Sequence, residues 1–77
     1  MTLTKDRMRA DIAQIAGLQL DEVTDRDDLR DLGVDSMQTM DLASLWEEQV
    51  AGLDYTELFD GTTLDDWWAV VDRLQGA

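Results

Sequence analysis

Three stretches of this 77-residue chain repeat apolar side chains every three or four positions, and none alternates apolar with polar residues. Met8, Ile12, Ile15 and Ala16 mark the first; Leu42, Ala43, Leu45, Trp46 and Val50 the second; Leu64, Trp67, Trp68, Val71 and Leu74 the third. Alternation is what a half-buried strand requires, whereas a period of three to four lays one apolar stripe along a helix. A lone stripe of this kind lies open to water, so the helices must bury their stripes against each other. The expected fold is all-α, a small helical bundle formed by one domain over residues 1–77. Cys is absent, so neither a disulfide nor a thiolate metal site holds it together. A chain this short is near the lower limit at which one apolar core suffices.

Local signals set the boundaries. Thr4 as N-cap and Gly17 as a stop predict a first helix over about residues 5–16. The period is then lost over 17–35, where Leu18, Leu20, Val23, Leu29, Leu32 and Val34 stand irregularly among Asp residues, as separate anchors of a long loop. A loop of that length in so small a domain is commonly functional. Ser36 to Val50 regains a helical period, and after Gly52 the segment Tyr55–Phe59 suffices for only a turn or two. Gly61 breaks the chain again. Thr63-Leu64-Asp65-Asp66 then resembles a capping box with Asp66 in place of the usual Glu or Gln, opening a last helix that ends before Gly76.

Charge divides the chain. The formal net charge is −12, and from Asp31 to Asp72 there are eleven acidic residues and no Lys or Arg. Such a one-sided field argues against nucleic acid or an anionic membrane as partner and favours proteins with basic docking surfaces. The N-terminus is polar and no stretch approaches membrane-spanning length, so a soluble, cytoplasmic protein is expected.

The second helix displays this acid. With Ser36 at zero and an advance of about 100° per residue, Leu45, Leu42, Trp46, Val50 and Ala43 form the stripe that should face the core. The other side holds Ser36, Met37, Met40, Asp41, Ser44, Glu47 and Glu48. Methionine suits surfaces that accept several partners. Met37 is expected in solvent, whereas Met40 could equally tuck beneath the long loop. Two methionines ringed by carboxylates would make a transient docking patch, with charge steering the encounter and Met supplying burial.

Ser36 has no histidine anywhere in the chain to activate it, so it reads as a residue modified by another protein. The plain alternative is a helix cap, since Asp and Ser are both common there. Gly33 adds a tight turn, and free N–H groups at a helix start favour a phosphate. Spacing alone leaves both readings open.

Asp31-Leu32-Gly33-Val34-Asp35-Ser36-Met37, with the helix that ends Leu45-Trp46-Glu47-Glu48, resembles the acyl carrier protein superfamily over nearly the whole chain. The resemblance implies a four-helix carrier fold of three longer helices and one short helix. It implies that Ser36 receives 4′-phosphopantetheine from coenzyme A through a Mg²⁺-bearing phosphopantetheinyl transferase, with Asp35 orienting that metal or a basic group of the transferase. The arm's thiol would then bear an acyl, aryl or aminoacyl thioester. An adenylation or other acyl-loading enzyme would charge it, and a downstream condensation, transferase or tailoring enzyme would use it. Met37, Met40, Asp41, Ser44, Glu47 and Glu48 would meet these partners, and the carrier itself would be a non-catalytic monomer without a metal site.

Leu42-Ala43-Ser44-Leu45-Trp46 and Thr63-Leu64-Asp65-Asp66-Trp67-Trp68 resemble the aryl and peptidyl carriers of nonribosomal peptide assembly. Two departures stand against this: Thr62 replaces their common Pro, and Val34-Asp35 stands where a typical peptidyl carrier has a second Gly and often His. Fatty-acid, polyketide and many aryl carriers share Asp35. Starting with Met and ending just after the last helix, the chain reads as a freestanding type II carrier. The rivals are an acidic interaction or inhibitor module in which Ser36 only caps, and an enzyme, for which no triad or strong metal constellation can be drawn.

Overall fold

A computed structural model describes residues 2–76. Four helices follow one another: α1 (Lys5–Ala16), α2 (Ser36–Glu47), α3 (Tyr55–Phe59) and α4 (Leu64–Gly76), and no strand occurs among the described residues. α1 packs on α2 and α4, while α3 closes the gap between α2 and α4. Among the described residues, no helix is long and apolar enough to cross a membrane.

Each helix begins where a side chain satisfies its free N–H groups. Thr4 Oγ1 accepts from the Arg7 N–H at 3.1 Å, and Asp54 Oδ1 accepts from Thr56 N–H at 3.0 Å. At α4 the expected reciprocal box is present. Thr63 Oγ1 accepts from Asp66 N–H at 3.1 Å, and Asp66 Oδ2 accepts from the Thr62 and Thr63 N–H groups at 3.0 and 3.3 Å. These bonds hold the Asp66 carboxyl below its ordinary range, the Thr62 N–H most of all. The shorter Asp side chain demands a close approach. A Cβ at Gly61 would stand 2.4 Å from the Asp66 Cβ, so only glycine fits.

The core gathers Met8 and Ile12 of α1, Leu42 and Trp46 of α2, Leu58 of α3, and Leu64, Trp67 and Val71 of α4. Trp46 and Trp67 meet edge to face, with ring centroids 5.9 Å apart. Their N–H groups are both satisfied: Trp67 Nε1 donates to the Leu58 carbonyl at 2.8 Å, and Trp46 Nε1 to Asp11 Oδ2 at 2.9 Å. Asp11 is a buried carboxylate that the helical period did not announce. Its other oxygen accepts from Arg7 Nε at 3.1 Å.

The 17–35 segment follows the expected plan with one correction. Val23, Leu29 and Val34 are buried anchors, with Leu18 and Leu32 packed at the core's edge, but Leu20 is 55% exposed. It sits in a short 3₁₀ turn, Leu20–Glu22, that lifts its side chain off the bundle. The loop is tied to the entry of α4 by Leu29 N–H to the Thr62 carbonyl at 2.8 Å and by Asp65 N–H to the Asp25 carbonyl at 3.1 Å.

Two helix ends also differ. α2 stops at Glu47, although Val50 keeps its buried place in the turn that follows, and α4 runs through Gly76. Leu45, expected in the core, is 42% exposed. It stands at the edge of the apolar stripe, where α1 does not close over α2. A groove lined by Gln14, Ile15, Leu42 and Leu45 remains there.

Candidate functional site

The turn before α2 is built from the backbone. Leu32 and Val34 N–H groups both donate to the Leu29 carbonyl, at 3.1 and 3.0 Å, and Gly33 N–H donates to the Arg30 carbonyl at 3.1 Å. Gly33 takes φ +97°, a conformation that side-chain-bearing residues rarely adopt. This turn sets Val34 into the core and aims Asp35 and Ser36 outward.

The question of which residue caps α2 then has a geometric answer. Asp35 has the extended backbone of an N-cap, and its Oδ1 accepts from Gln38 N–H at 2.8 Å. Its carbonyl accepts from the Thr39 hydroxyl at 2.9 Å. Ser36 is the first residue inside the helix and is exposed. The reading of Ser36 as a cap is thus replaced, since Asp35 does that work and leaves the serine hydroxyl outside the capping arrangement.

Ser36 opens onto a cleft of about 180 Å³ between the turn and α3. Leu29, Val34, Leu58 and Phe59 supply apolar walls, while Thr39, Asp35 and Arg30 are polar members of the lining. Arg30 donates from Nε and Nη2 to the two oxygens of Asp28, at 3.4 and 3.2 Å. The guanidinium lowers the Asp28 carboxyl below its ordinary range, and the carboxylate in turn makes Arg30 harder to deprotonate. Sequence reasoning did not single out Arg30, which stands just before the acidic segment. That it lines the serine's cleft depends on the turn closing as it does.

The remaining expected positions lie beside the cleft, along the solvent side of α2. Met37 is 75% exposed, and Met40, which sequence left undecided, is 45% exposed. Asp41, Ser44, Glu47 and Glu48 are exposed as well. None of these three carboxylates is in an ion pair within the described residues. Across the cleft, Tyr55 and Phe59 of α3 stack edge to face at 5.7 Å with both rings partly in solvent. No cluster of three or more carboxylates placed to hold a metal ion occurs among the described residues.

Comparison with known proteins gives a family for nearly the whole chain. The family described as a phosphopantetheine attachment site matches residues 6–71. Acyl carrier protein ScoB of Streptomyces coeruleorubidus is 35% identical over 74 residues, spanning 96% of this chain and 87% of that protein. Enterobactin synthase component B of Escherichia coli is 38% identical over 53 residues, covering 69% of this chain but 19% of that protein. Citrinin polyketide synthase of Monascus ruber is 39% identical over 72 residues, or 90% of this chain and 3% of that protein. No solved structure matches the chain.

Proposed function

Because the chain belongs to the phosphopantetheine-attachment family, we propose that Ser36 is its attachment residue and that it shuttles an acyl, aryl or aminoacyl group between enzymes of a secondary-metabolite assembly system. The family implies a covalent 4′-phosphopantetheine group, and its carrier domains are non-catalytic substrates of a phosphopantetheinyl transferase. That group supplies a terminal thiol on which cargo is held as a thioester. The residues present fit it. A phosphodiester link needs one hydroxyl that is accessible and outside the helix-capping arrangement, and Ser36 meets both conditions. This is the observation that carries the reading.

Activation of the hydroxyl falls to the transferase and its Mg²⁺, because the chain has no histidine. Asp35, besides capping α2, orients that metal or a basic group of the transferase. Met37, Met40, Asp41, Ser44, Glu47 and Glu48 form the face on which transferase, loading enzyme and downstream enzyme dock in turn. Tethering then replaces free diffusion by a high effective concentration at each partner's site. Docking must be weak enough to reverse. Exposed Met edged by unpaired carboxylates provides modest burial and fast, steered encounter.

Similarity to enterobactin synthase component B supports an aryl or peptidyl carrier of nonribosomal peptide assembly. Similarity to ScoB and to citrinin polyketide synthase supports the second reading, an acyl carrier of polyketide or fatty-acid type. In this reading the carrier is a monomer of one domain working in the cytoplasm; the match over 87% of ScoB supports only the one-domain part of it. Incubation with coenzyme A, Mg²⁺ and a promiscuous phosphopantetheinyl transferase tests the common core. Intact mass should rise by one phosphopantetheine in the wild type and stay unchanged in Ser36→Ala. A wild type that gains nothing ends the carrier reading and restores the acidic interaction module. Charging the holo form with aryl, aminoacyl and malonyl donors separates the two sub-classes.

A further inference from the structure

Arg30 is the only basic residue among those lining the cleft that Ser36 opens onto. It is also the last cation before a run that has none until Arg73. The turn fixes its backbone: Leu29 on one side is bonded to Thr62, and the Arg30 carbonyl accepts from Gly33. Asp28 fixes the direction of its side chain by engaging Nε and Nη2. A guanidinium has five N–H donors, so Nη1 and one hydrogen of Nη2 remain available. On the serine's side of the cleft the nearest charge in sequence is the Asp35 carboxylate. A phosphodiester joined to Ser36 Oγ would add a second negative charge beside it, and Arg30 is the one lining residue that can balance them.

We propose that Arg30 is a positioning residue that clamps the phosphodiester at the root of the arm, so that the arm leaves Ser36 across the cleft toward α3. The proposal rests on Ser36 as the attachment point. The planar fork of an arginine matches two phosphate oxygens at once, which a lysine does not. Asp28, Arg30 and the phosphate then form a line of alternating charge. Because the Arg30 side chain is 74% exposed, the clamp is screened by salt and releases readily. An arm held this way passes over the Phe59 ring, while Met37 and Met40 stay clear for partners.

The test compares wild type, Arg30→Gln and Arg30→Lys in apo and holo forms by intact mass, phosphorus-31 NMR and the Arg30 Nη–H resonances. The reference is the same arm on an unfolded peptide containing the Ser36 segment. A wild type that gains no phosphopantetheine overturns attachment and the clamp together. Where the mass gain occurs, the wild-type phosphorus resonance should be displaced from the reference at low salt and return toward it as NaCl rises. In Arg30→Gln the displacement should be lost, and in Arg30→Lys only part should survive. The Arg30 Nη–H resonances of the wild type should move on attachment. A phosphorus resonance identical in wild type and Arg30→Gln at low salt, or Arg30 Nη–H resonances that attachment leaves in place, overturns the clamp while Ser36 attachment stands.

Discussion

Around α1, cations are matched with acids, from the long loop and α4 for Lys5 and Arg9 and from α1 itself for Arg7. Lys5 reaches Asp25 of the long loop at 3.0 Å and Asp65 of α4, Arg9 reaches Asp25 and the Val23 carbonyl, and Arg7 meets the buried Asp11. Along α2 the opposite holds, with Asp41, Glu47 and Glu48 standing in solvent without an ion pair among the described residues. Exposed pairs contribute little energy individually. What the α1 network supplies is geometry, because it joins loop, α1 and α4 and thereby holds the turn that presents Ser36. The α2 carboxylates supply field in place of geometry. The difference teaches that one charged composition serves two ends, decided by whether a cation stands opposite.

The largest expected effect on stability breaks the α1 side at its buried member. Asp11→Ala leaves the Trp46 indole N–H in the core without an acceptor and should cost about 1–3 kcal/mol. Asp11→Asn keeps an acceptor and should lose less. Chemical denaturation of the apo protein measures both. If Asp11→Ala unfolds no earlier than Asp41→Ala, the buried carboxylate has no more structural weight than the exposed one and the contrast fails.

Acid gives a smaller effect of known sign. Hydrogen bonds from Lys5 and then Arg9 hold the Asp25 carboxyl below its ordinary range, and the Thr62 and Thr63 groups do so for Asp66. A carboxyl lowered in the folded state stabilises the fold above its unfolded value, and that contribution disappears as pH falls through the folded value. Stability should therefore decline as pH drops below about 4. Relief of repulsion within a chain of net charge −12 acts in the other direction. Asp25→Asn and Asp66→Asn separate the two, since each should flatten the acid limb of the thermal midpoint against pH. A limb that both substitutions leave equally steep would assign acid sensitivity to other carboxylates.

Sequence made most of this contrast readable, and what it missed has a common cause. Helical period and caps act within four residues, so Thr4, Gly17 and the Thr63–Asp66 box were legible. So was the acidic side of α2, because a helical projection depends only on spacing. Asp11 was not, for its burial depends on a Trp 35 positions away, and neither was the placement of Arg30, which depends on how the loop closes against Thr62. Leu45 and Leu20 failed in the same way, because their exposure depends on how closely neighbouring elements cover them. The serine itself was half legible. Asp35-Ser36 marked a helix start, but which of the two caps it required backbone geometry.

The smallest expected effect on the fold is on α2, where it should coincide with a large effect on exchange with partners. Asp41→Lys with Glu48→Lys removes no ion pair within the described residues, so unfolding should shift by no more than about 0.5 kcal/mol. Conversion by a phosphopantetheinyl transferase should nevertheless slow by about tenfold at low salt, because steering by surface charge raises association rates by about that factor or more. The gap between variant and wild type should close as salt rises, since screening shortens the reach of charge from about 10 Å at 0.1 M to about 3 Å at 1 M. Met40→Ala should slow the same reaction without that salt dependence, its contribution being apolar burial. Equal rates for wild type and the double reversal at low salt, with both folded, would take α2 out of the docking surface and leave its acid as a solvated face. A slowdown that persists at high salt would instead place one of the two positions in direct contact with the partner. Salt thus distinguishes a steering field from a contact.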